Sequence, residues 1–131
     1  MQAIKTPLFL GVLSTLCCVA GCQRLFDCVD TVKRRVVSPE YKNAVVVLER
    51  DCGATTSVST IIRVTPASSS SNGGEKQSIF VCKGEASRVD AVWLSERELA
   101  ITHDCQEQEI FKNSPGIGEI RVVYRFRIEL R

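Results

Sequence analysis

The chain reads as a mainly β protein: a small antiparallel sheet or sandwich, stapled by two disulfides, with an N-terminal signal helix ahead of it. Three observations predict this. Short β-branched runs recur between turn residues. The C-terminal segment alternates apolar and polar residues with period two. Four cysteines, Cys28, Cys52, Cys82 and Cys105, are spread along the strand-rich part of the chain. At 131 residues there is room for one domain, which excludes TIM barrels, two-domain doubly wound enzymes and closed multi-blade propellers. With 44% hydrophobic residues the chain can bury a core, and a net charge of +2 carries no electrostatic footprint for nucleic acid.

Met1 to Lys5 is a short, singly positive start, and Pro7 to Ala20 is almost wholly apolar and uncharged. Fourteen residues of helix span about 21 Å, short of the ~30 Å hydrocarbon core of a bilayer, so an export signal fits better than a membrane-spanning helix. The end of this segment, Val19-Ala20-Gly21-Cys22, resembles the lipobox of bacterial lipoproteins. The resemblance implies cleavage between Gly21 and Cys22, a diacylglycerol on the Cys22 sulfur, an acylated (palmitate-type) amine, and a mature lipid-anchored domain at 22–131. Small side chains admit the peptidase to the backbone, and only a thiol can form the thioether. Gln23 in place of an aspartate implies the outer membrane where the cell has two membranes, and otherwise the outer face of the cell membrane.

Removal of the signal takes Cys17 and Cys18, and the lipid takes Cys22. Cys28, Cys52, Cys82 and Cys105 remain, an even number that predicts two disulfides in an exported chain. Of the three pairings, Cys28–Cys52 and Cys82–Cys105 is favoured, each closing a loop between neighbouring strands and contributing roughly 3.5 kcal/mol. Two rival chemistries use the same residues. A zinc site from these cysteines and His103 lacks the close ligand spacing of such centres. A nucleophile pair of Cys52 and His103 needs a free thiolate. His103, beside Asp104, reads as a surface residue near a turn, and no cofactor or metal is implied.

The strands follow in order. Ser38 to Asn43 is a turn ahead of the apolar run Ala44 to Leu48, and Val58 to Thr65 is a second strand stopped by Pro66. Residues 66–76 are rich in Ser and Gly and predict a flexible loop. Gln77 to Cys82, Val89 to Leu94, Leu99 to Thr102 and a short Ile110 to Lys112 come next, before the turn at Asn113 to Gly116. In the last strand Ile120, Val122, Tyr124, Phe126, Ile128 and Leu130 predict one buried face. Arg121, Arg125 and Arg127 decorate the other, either as a solvated face guarding an edge or as a stripe for anionic head groups.

Ser38 to Thr56 resembles an uncharacterised family of small exported bacterial proteins. The match rests on Ser38 and Pro39 of the turn and on Asp51-Cys52-Gly53-Ala54-Thr55-Thr56, with Glu40-Tyr41 where the family has Asp-Gly. Val92-Trp93-Leu94 and Leu99-Ala100-Ile101 are similar to its second half, and both stretches resemble strands of a single propeller blade. The resemblance implies no activity. Gly53 suits a positive φ, so Asp51-Cys52-Gly53 reads as a disulfide-pinned turn. Glu49 and Asp51, two apart, form a carboxylate pair that does not by itself make a hydrolase.

Cys22 and Cys28 are six positions apart in the chain, a reach of about 20 Å, so the domain is expected against the membrane with Lys33, Arg34 and Arg35 near anionic head groups. The expected function is that of a non-enzymatic envelope lipoprotein, a structural or binding module whose partners are the membrane and an envelope protein, without nucleic acid. Two alternatives stand beside it: an inhibitor-like protein docking on an envelope hydrolase such as lysozyme, with the 66–76 loop as its probe, and a Cys-dependent enzyme using Cys52.

Overall fold

The computed structural model describes residues 27–128. Nine strands follow in chain order: β1 Val29–Val37, β2 Asn43–Asp51, β3 Ser59–Pro66, β4 Ser78–Lys83, β5 Val89–Ser95, β6 Glu98–His103, β7 Ile110–Asn113, β8 Gly116–Ile117 and β9 Ile120–Phe126. They form a five-stranded sheet ordered β1-β2-β3-β4-β7 and a four-stranded sheet ordered β5-β6-β9-β8. The expected mainly β fold is present, as a two-sheet sandwich. One pairing departs from the antiparallel expectation. After β6 the chain crosses to the first sheet as β7, returns through β8, and lays β9 parallel to β6.

The core lies between the sheets. Val45 and Val47 of β2, Ile62 and Val64 of β3, and Phe80 and Cys82 of β4 face Val89, Ala91, Leu99, Ile101, Ile120 and Val122 of the second sheet. A register shift between β3 and β4 brings Ile79 into the same core beside Phe80. The unbroken apolar run of β2 has a structural reason: its other face is buried too. Val46 and Leu48 pack with Ile61 and Val81 in a second cluster on the outer side of the first sheet.

The 66–76 segment is tied to that outer side. Arg35 Nη2 donates to the carbonyls of Ala67 and Ser69, both at 3.1 Å, and the buried Arg63 donates through Nη1 to Gly73 O at 3.1 Å. Arg50 completes the seam, donating to Asp30 at 2.7 and 2.9 Å and to Glu75 at 2.7 Å. The Arg50 hydrogen bond holds the Asp30 carboxyl below its ordinary pKa.

Both disulfides join the expected partners, Cys28 to Cys52 and Cys82 to Cys105. The first closes the open end of the β1–β2 hairpin. The second does not join neighbouring strands: it crosses the core from β4 to the segment just after β6, and so pins one sheet to the other.

Candidate functional site

The sandwich has two ends, and each gathers residues of functional interest. At one end the Ser38 to Asn43 turn joins β1 to β2. Ser38 O accepts from Tyr41 N–H at 2.9 Å, and Ser38 N–H donates to Asn43 O at 2.8 Å. Tyr41 stands where a glycine would be relaxed, at φ 60°, with its side chain 79% exposed. The strained turn is braced from the other sheet. Glu96 accepts from Ser38 Oγ at 2.6 Å and from Glu40 N–H at 2.8 Å. Despite some desolvation, these bonds hold the Glu96 carboxyl below its usual pKa.

The opposite end carries the Cys28–Cys52 bridge, since β1 and β9 lie with one terminus there and β2, β4 and β6 run out at the same level. Gly53 adopts φ 108°, Asp51 Oδ1 accepts from Gly53 N–H at 2.9 Å, and Thr56 N–H donates back to Gly53 O at 3.2 Å. The Asp51-Cys52-Gly53 segment is thus a disulfide-pinned turn. A hollow of about 410 Å³ opens beside it, lined by Cys52, Thr56, Ser57, Ser59, Lys83 and Phe111. With its sulfur bridged to Cys28, Cys52 offers no thiolate for nucleophilic attack.

His103 is not at the surface. It is 8% exposed on β6, its ring 5.1 Å from Phe80, 6.0 Å from Phe126 and 6.5 Å from Tyr124. Burial pushes its pKa below the usual value, and Nδ1 has no hydrogen-bond partner. The expectation failed because Asp104 beside it suggested a turn, whereas β6 continues through His103 and the aromatic side chains close over it. Tyr124 is half-buried in the same nest, its hydroxyl 2.6 Å from Ser114 O and 3.1 Å from Ile79 O, and burial raises its pKa to about 12. Among the described residues no cluster of three or more His, Cys, Asp or Glu side chains is placed to hold a metal.

The basic residues of β1 have internal partners. A bulge at Lys33 turns both Lys33 and Arg34 toward the second sheet. Lys33 pairs with Glu49 at 3.1 Å, while Arg34 pairs with Asp90 at 3.2 Å and donates to Val89 O. Arg35 points to the other side and holds the 66–76 segment. Glu49 and Asp51 are also separated in role, because Glu49 accepts from Ala86 N–H at 2.8 Å and is held charged chiefly by that bond.

On β9, Arg121 pairs with Glu98 and Arg125 is exposed, while Arg127, just past the strand, donates to Ser87 O at 3.3 Å. Along the apolar face of this strand Ile120 and Val122 are buried and Tyr124 is half-buried. Phe126 is 53% exposed and Ile128 75%, because both lie at or beyond the limit of the sheet. Sequence reasoning missed β1 as a strand, and with it the link Trp93 Nε1 to Val36 O at 3.0 Å that ties β5 to β1. Gly21, Cys22 and Gln23 lie outside the described residues, as does Leu130. Compared with known proteins, the chain matches no family model, no curated protein and no solved structure.

Proposed function

We propose that the chain is a bacterial envelope lipoprotein, cut before Cys22, acylated there, and serving as a non-enzymatic structural or binding module. In a cell with two membranes Gln23 directs it to the outer one. The observation that carries this reading is the Val19-Ala20-Gly21-Cys22 sequence standing ahead of a domain whose four cysteines are all paired. Paired cysteines support an oxidising compartment, and two or three acyl chains hold a protein on a bilayer where one does not. The test is the intact mass of the protein extracted from membranes. A chain that begins at Cys22, carries the acyl groups and has four oxidised cysteines supports the reading. A full-length chain with free thiols in the cytosol overturns it.

The braced turn favours a second reading, an inhibitor-like module that docks on an envelope hydrolase. Tyr41 is an exposed aromatic held in one strained conformation at the end away from Cys28, which suits a preorganised contact. Inhibition of lysozyme by the protein, weakened at least tenfold in Tyr41→Ala, supports this reading, and no inhibition removes it.

A further inference from the structure

We infer that the Cys28 end of the sandwich is a bilayer-docking rim, whose exposed apolar side chains enter the lipid interface and stand the domain upright on its anchor. This rests on the lipoprotein reading above and adds an orientation to it. Four large apolar residues protrude around this one end: Val29 at 63% exposure, Phe111 at 64%, Phe126 and Ile128. They come from three strands of both sheets or their continuations. Val29 opens β1, Phe111 lies near the start of β7, and Phe126 closes β9. None belongs to an expected binding motif, and each is placed here only because the strand termini share a level.

The tether points to a lipid bilayer as the occupant. Only five residues lie between Cys22 and Cys28, so a lipid on Cys22 is within about 20 Å of the Cys28–Cys52 bridge. Val29 follows Cys28 of that bridge in the chain, and Phe111 lines the hollow beside Cys52 together with Lys83. A surface held this close to head groups meets a bilayer first, and aromatic and aliphatic side chains with a nearby ammonium suit the interface. The basic run of β1 is a weaker candidate for the contact, because Lys33, Arg34 and Arg35 are engaged within the domain. An end-on stance also carries the Tyr41 turn away from the membrane.

The full lipidated protein, reconstituted in vesicles of phosphatidylethanolamine and phosphatidylglycerol with brominated acyl chains, tests this without another protein present. Bromine quenches tryptophan on contact, and the native chain has one tryptophan, Trp93, on β5 and bonded to β1 near the far end. Phe111→Trp and Ile128→Trp should each lose at least twofold more emission than the native protein, while Tyr41→Trp should lose no more than it. Equal quenching at all positions, no quenching at 111 and 128, or quenching at 41 alone overturns the rim. If the same samples carry their acyl groups by mass, the lipoprotein reading survives that failure. A chain without acyl groups overturns both.

Discussion

The two disulfides close loops of nearly equal length, with sequence separations of 24 and 23, yet they tie different things. Cys28–Cys52 joins two strands that are already hydrogen-bonded, at an edge where every residue of β1 is exposed. Cys82–Cys105 is buried and joins two sheets whose facing surfaces pack through side chains. Loop-closure entropy treats the two alike. The difference lies in the folded state: one bond restrains fraying, and the other fills core volume and sets how the sheets pack.

The largest way to break this symmetry is to remove the buried bond. Cys82→Ala with Cys105→Ala should cost about 5 kcal/mol, the loop term plus the cavity left in the core, read from chemical denaturation of the full chain. Cys28→Ala with Cys52→Ala should cost about 3 kcal/mol, because β1 can fray and recover part of the loss. In graded reductant the exposed bridge should open first, and peptide mass mapping of trapped thiols checks the order.

Two arginines sharpen the same contrast between buried and exposed ties. Arg63 and Arg35 both hold the 66–76 segment, but only Arg63 is buried. Arg63→Ala should cost about 2 kcal/mol, leaving Gly73 O and Ser78 Oγ without their donor, while Arg35→Ala should cost under about 1 kcal/mol.

A smaller effect is pH-dependent and belongs to the core near Cys105. His103 has a folded pKa below its ordinary 6.5, so the unfolded chain takes up its proton at higher pH than the folded one. Its neutral burial therefore contributes fully above about pH 6.5 and is lost as pH falls toward the folded pKa. Denaturation of His103→Gln at pH 7.5 and pH 5 should show a shallower acid loss than the native chain. The smallest change is at the far end: Tyr41→Gly should add up to about 1 kcal/mol by relieving the positive φ, seen as a modest rise in Tm.

Most of the strand pattern was legible because β2 to β7 and β9 carry β-branched runs between turn residues. β1 was not, because an edge strand exposes both faces and needs no alternation, and its Lys33-Arg34-Arg35 run, broken by a bulge, looks like a solvated cluster. The two-residue β8 is too short to leave any pattern. The same limit applies to the rim: Phe126 reads as part of a buried face by periodicity and is left in solvent where β9 stops, while Phe111 is exposed at the register break of the edge strand β7.

Local chemistry by itself determined the β class, the expectation of two disulfides from four cysteines and the turn at Gly53, since run composition, count and conformational preference are properties of short segments. Tertiary structure alone decided that Cys82–Cys105 crosses between sheets, that His103 is buried, that the β1 cations are spent inside the domain, and that four apolar side chains share one end. Each of these depends on which strands become neighbours, and side-chain periodicity says which face a residue is on but not what stands opposite it.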